Sequence, residues 1–75
     1  MSGAVEDMNA LIAEGAAANQ TGDFESAAAA YRQALRLAPE NSQAMFGLAA
    51  ALRALGDYQE AERFYSRALA IDPAP

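Results

Sequence analysis

The sequence predicts an all-α fold of four antiparallel helices, arranged as two successive helical hairpins of one design. Three observations predict it. The chain repeats itself at an offset of 34 residues. Apolar residues recur at spacings of three and four within each segment, which gathers them on one helical face. A Gly-Asp pair and a later proline punctuate both copies at the same places.

The self-alignment pairs Ala10/Ala44, Ala16/Ala50, Ala17/Ala51, Gly22/Gly56, Asp23/Asp57, Ala27/Ala61, Tyr31/Tyr65, Ala34/Ala68, Leu35/Leu69 and Pro39/Pro73. Alanine matches mean little in an alanine-rich chain. The glycine, aspartate, tyrosine and proline matches have no such explanation. A fixed period of this length is the signature of a repeat architecture.

The first helix is predicted over residues 5–20, with Val5, Met8, Leu11, Ile12 and Gly15 along one face. Gly22 stops it, because glycine accepts the left-handed backbone just past a helix end. Asp23 caps the next helix, predicted over 24–37 and striped by Phe24, Ala27, Ala28, Tyr31, Ala34 and Leu35. Pro39 ends it, since proline cannot extend the hydrogen-bond ladder. Asn41 or Ser42 caps a third helix over 42–55, striped by Met45, Leu48, Ala49, Leu52 and Leu55. Gly56-Asp57 makes the second turn. Glu60 stands where it completes a capping box. The fourth helix, over 58–71, carries Tyr58, Ala61, Phe64, Tyr65, Ala68 and Leu69, and Pro73 stops it. The small residues let helix axes approach while Tyr31 and Tyr65 fill the gaps.

Composition removes several function classes. The chain has 75 residues, enough for one small domain whose core alone is marginal. It has no cysteine, histidine or lysine, so the usual nucleophiles, general bases and metal ligands are missing and no enzyme is expected. No cofactor or metal is expected either. The carboxylates fall at caps, helix ends and solvated faces, without the dense alternation of a cation loop. A net charge of −5 repels phosphate backbones, so nucleic acid is not an expected partner. No apolar run reaches the roughly 20 residues of a membrane span. The N-terminus lacks a basic segment followed by an apolar one, so the cytoplasm is the default setting.

Each unit resembles a tetratricopeptide (TPR) repeat. The family pattern asks for a leucine–small pair in the first helix, then Ala-x-x-x-aromatic and a closing proline in the second. The second unit offers Leu48-Ala49, Ala61 with Tyr65, and Pro73. The first offers Gly15, Ala27 with Tyr31, and Pro39. The family's tryptophan slot holds Leu11 and Met45, its tyrosine slot Ala18 and Leu52, and its leucine slot beside Gly15 holds Glu14. These departures point to a lightly packed first helix. The resemblance implies a single domain over 1–75: an extension at 1–7, one repeat at 8–41 and another at 42–75, stacked as a short right-handed α-solenoid.

The resemblance also implies a function. TPR arrays present a concave surface lined by the first helix of each repeat and hold a peptide or helix of another protein there. Carried onto this chain, the groove candidates are Asn9, Ile12, Ala13, Ala16, Asn19 and Gln20, then Gln43, Phe46, Gly47, Ala50, Arg53 and Ala54. Ile12 and Phe46 occupy matching positions, where they either line the groove or finish the core. Arg53 either meets a carboxylate or serves as a favourable charge near a helix C-terminus. One TPR subclass clamps a terminal carboxylate with lysine and asparagine. Here those slots hold Ile12 and Phe46, then Ala16 and Ala50, so that clamp is absent. Arg32, Arg36, Arg63 and Arg67 are expected on solvated outer faces.

The last helix raises a second expectation. Phe64, Tyr65, Leu69 and Ile71 lack a later helix to cover them, so self-association through residues 58–71 is expected, as a symmetric dimer or by exchange of helices between copies. The alternative to it is a third helical hairpin or capping helix supplied by a longer natural chain. The alternatives to a binding module are a structural oligomerisation domain with no separate ligand and an N-terminal adaptor of a larger protein or enzyme.

Overall fold

The computed structural model describes residues 3–73. It contains four helices: α1 (Ala4–Thr21), α2 (Phe24–Leu37), α3 (Ser42–Ala54) and α4 (Tyr58–Ile71). Among the described residues there is no strand. The boundaries match the sequence reading to within one residue. The third helix stops at Ala54 rather than at 55, and the extension expected at 1–7 is helical from Ala4 onward. Residues 1–2, the start of that extension, and 74–75, the end of the second repeat, lie outside the described residues.

The turns form as their chemistry requires. Gly22 and Gly56 have φ of 86° and 90°, the left-handed region that a Cβ disfavours. After α1, Gly22 N–H donates to Asn19 at 3.2 Å and Asp23 N–H to Ala18 at 2.8 Å. After α3, Gly56 N–H donates to Arg53 at 3.0 Å and Asp57 N–H to Leu52 at 2.9 Å. These are paired bonds of one Schellman pattern, and they occupy carbonyls that the helix end leaves free. Asp23 accepts from Ser26 N–H at 3.3 Å and Asn41 from Ala44 N–H at 2.9 Å, each as an N-cap.

The expected capping box at α4 does not form. Asp57 makes no side-chain cap bond. Glu60 instead accepts from the Arg32 guanidinium at 2.8 Å. A charge-assisted bond to arginine is stronger than one to a neutral N–H, which decides the competition. Arg32 is therefore a half-buried tie between α2 and α4, not a member of a solvated outer face.

Helices α1 with α2 and α3 with α4 pack as hairpins, and α3 also lies against both α1 and α2. The backbones of α2 and α4 do not come together, whereas α1 and α3 lie side by side and form what we call the inner side. Met45 and Leu48 are the large side chains with no exposure at all, and Ala27, Ala34, Ala44 and Ala51 are equally enclosed. Removing each large side chain from water is worth about 1.5–3 kcal/mol. The core belongs mainly to α2 and α3. From α1 it takes Ile12, with Met8, Leu11 and Ala18 half-covered against it, as expected of a lightly packed helix.

Some apolar residues assigned to the core stripes lie outside it. Val5, Leu55 and Tyr58 are exposed. Each sits at a helix end, where no neighbouring element extends far enough to cover it.

Candidate functional site

The inner side is held together around Tyr31. The Tyr31 ring lies between α1 and α3, where both helices give it room by lacking a side chain. A Cβ on Gly15 would stand 2.6 Å from the ring and one on Gly47 only 2.1 Å from it. Both are closer than any real carbon contact, so the glycines are the two walls of the ring's seat. Beside it, Asn19 on α1 donates through Nδ2 to the Gly47 carbonyl on α3 at 3.2 Å. The Asn19 Oδ1 atom is buried without a partner. Burial raises the Tyr31 pKa, and the neighbouring Asn19 amide opposes that rise in part. Asn19 and Tyr31 thus lock α1 to α3 and fix the spacing of the inner face.

That face takes up most of the residues the sequence nominated. Asn9, Ala13, Ala16 and Gln20 are exposed on α1, and Gln43, Ala50, Arg53 and Ala54 are exposed on α3. Asn19 and Gly47 are half-covered because they touch each other. Ile12 is different. It is 7% exposed and belongs to the core cluster, so it offers a ligand nothing. Phe46, its counterpart, remains half-buried and meets the Tyr65 ring edge to face, with centroids 5.6 Å apart. A shallow cleft of about 530 Å3 opens beside Phe46, lined also by Gln43, Ser42, Asn41, Glu40 and Asp72.

The face is chemically bland. It consists of alanine methyls, side-chain amides, one aromatic edge and the Arg53 cation. No lysine accompanies Arg53, and the slots that would clamp a terminal carboxylate hold a buried isoleucine, a stacked phenylalanine and two alanines. Among the described residues there is no grouping of carboxylates able to hold a metal ion. None of their helices is long and apolar enough to cross a membrane.

The repeat geometry and the glycine-walled tyrosine point to one architecture, and comparison with known families agrees. The tetratricopeptide repeat family model matches residues 12–74. The chain belongs to the tetratricopeptide repeat family. Its TPR units are the α1–α2 and α3–α4 hairpins, and TPR repeats mediate protein–protein interaction as a non-catalytic module. No individual curated protein matches the chain as a relative.

Sequence reasoning missed the Arg32–Glu60 tie and the Asn19–Gly47 bond. Both join residues 28 apart in the chain, so no local pattern announces them. The glycine at 47 was visible as an interruption inside an apolar helix, a position that signals close approach.

The four residues expected to drive self-association separate when each is set beside its repeat counterpart. Ile71 is 45% exposed, but Leu37, which has a repeat after it, is 48% exposed. Ile71 is therefore not uncovered by the end of the array. Leu69 and Leu35 are both half-covered. Phe64 packs against the core with the Arg67 guanidinium 5.6 Å from its ring centroid. Its counterpart Ala30 is buried, so Phe64 is the more open of that pair, and Tyr65 changes most plainly, from 4% at Tyr31 to 48%.

Proposed function

We propose that the chain is a non-catalytic binding module whose α1/α3 face holds a peptide or helix of another protein, with the cytoplasm as its default setting. The supporting observation is that the inner-side residues stay exposed on two helices fixed side by side by Asn19 and Tyr31, while the larger apolar residues are drawn into the core. A surface of methyls and amides admits a backbone closely and offers hydrogen bonds along its length. Phe46 supplies the apolar anchor of a kind that concentrates binding energy.

Ala16 and Ala50 test this reading. Both are exposed, so arginine at either should leave folding unchanged. Proteins captured by the wild-type chain and identified by mass spectrometry should be depleted at least about tenfold by Ala50→Arg, a loss near 1.4 kcal/mol. Capture that survives both Ala16→Arg and Ala50→Arg moves the site off this face.

Self-association through residues 58–71 is a second reading, and Tyr65 is the observation that favours it. Light scattering tests it. A dimer that Tyr65→Ala dissolves supports it, and a monomer of 7.8 kDa at all concentrations removes it.

A further inference from the structure

The inner face is uncharged along its middle and charged at its two ends. Helices α1 and α3 run the same way. Asn41, the cap of α3, donates through Nδ2 to the Met8 sulfur early in α1 at 3.5 Å, and Asn19 late in α1 bonds Gly47 further along α3. Carboxylates stand at the shared starting end. Glu40 and Asp72 line the cleft beside Phe46, together with Gln43. Glu6, three residues before Asn9 and on its stripe of α1, is exposed there too. Arg53 stands at the opposite end, exposed in the last turn of α3. Among the described residues it forms no ion pair, not even with Asp57 in the turn that follows. The remaining carboxylates of α1, Asp7 and Glu14, line a separate cleft against Gln33 and Arg36 of α2.

We propose that these ends set how a ligand lies on the inner face: an extended peptide segment, with a basic side chain in the Glu40–Asp72 cleft, an apolar one against Phe46 and an acidic one at Arg53. This partner chemistry presupposes binding on the inner face. Charge complementarity chooses the side chains. A lysine or arginine that reaches the two carboxylates lays its methylene stem and its cation beside the Phe46 ring, a favourable neighbour for both. A segment laid the other way would set its acid beside Glu40 and Asp72 and its base beside Arg53, and like charges at an interface repel. An extended segment is favoured over a helix because a helix has its backbone groups already paired. Asn9, Gln20 and Gln43 offer exposed amides that bond free backbone N–H and C=O groups. A second copy does not fit, since its described residues are helical apart from short turns. Gln43 and Arg53 are ten residues apart on α3, about 15 Å. An extended chain covers that distance in about 4–5 residues, so the basic and acidic side chains of the ligand stand that far apart.

A random peptide library selected on the full chain supplies the probes, and fluorescence anisotropy of labelled synthetic peptides measures them. Selected peptides should carry Lys or Arg and, about 4–5 residues away, Asp or Glu, with an apolar residue between. Arg53→Glu should weaken their binding about tenfold or more, and Glu40→Lys likewise. The exchanged chain, Glu40→Arg and Asp72→Arg with Arg53→Glu, should reject them and bind versions whose basic and acidic residues have traded places. All three positions are exposed. Should circular dichroism show a variant unfolded, Arg53→Gln and Glu40→Gln decide by the same readout, with a loss of about threefold. Selected peptides that lack the charge pair, or that carry it and ignore Arg53→Glu, would overturn the proposal. So would a pair about ten residues apart, the spacing of a bound helix, or a selection that yields no peptide. Ala50→Arg judges the inner face separately. Peptides that it expels and the charge variants do not would overturn the charge order alone. Peptides indifferent to Ala50→Arg would remove the inner face as well.

Discussion

Replacing Gly47 by alanine should destabilise the fold, against the ordinary expectation for a helix. In an exposed helix interior, glycine to alanine gains about 0.8–1 kcal/mol. Here the new methyl carbon would stand 2.1 Å from Tyr31 Cζ. A relaxed contact needs about 3.5 Å or more, so the ring must retreat by over an ångström. It cannot retreat toward α1, because Gly15 already marks the opposite wall at 2.6 Å. Overpacking of this kind costs about 1–3 kcal/mol, and a ring trapped from both sides belongs at the upper end. After the propensity gain the net loss is about 2 kcal/mol. A domain of this size has about 4–11 kcal/mol in total. At about 4–8 °C per kcal/mol, the melting midpoint falls by roughly 8–16 °C. Thermal and urea unfolding followed by circular dichroism measure it. Tyr31→Leu combined with Gly47→Ala should cost less than the sum of the two single changes, because the clash leaves with the ring. A Gly47→Ala chain as stable as the wild type, or more so, would refute the two-walled seat.

Two further outcomes follow from the caps and the inter-repeat tie. Asn41→Ala should cost about 1 kcal/mol in the same unfolding assays, the usual value of a lost N-cap bond, and Asp57→Ala less than about half of that, because Asp57 makes no cap bond. The Arg32 hydrogen bond holds the Glu60 carboxyl below its ordinary 4.5, so its stabilisation is present above that pH and is lost as the pH falls through the lower folded value. Glu60→Gln should therefore flatten the decline in stability between about pH 5 and pH 2, and a decline as steep as that of the wild type would count against the tie.

What could be read from the sequence was whatever the backbone settles locally. Gly22, Gly56, Pro39, Asp23 and Asn41 fix helix ends through their own φ preferences and hydrogen bonds, and the helices fall where those residues put them. The stripes located the central core residues Ile12, Leu48 and Tyr31 but overran at Val5, Leu55 and Tyr58, because periodicity does not say where a neighbouring helix ends. The groove was legible as a set of positions and not as a set of contacts. Ile12 and Phe46 share a repeat position, yet one is core and the other is half-exposed. Arg32 read as a surface charge because its partner Glu60 comes from the other repeat.

The most direct test of the central claim maps a captured partner onto the chain. A binding fragment of that partner, titrated into isotope-labelled protein, should shift backbone amide resonances of Asn9, Ala13, Ala16, Gln43, Phe46 and Ala50, with α2 and the solvent side of α4 unchanged. Shifts gathered instead on Gln33, Arg63 and Arg67, with α1 silent, would contradict binding on the inner face.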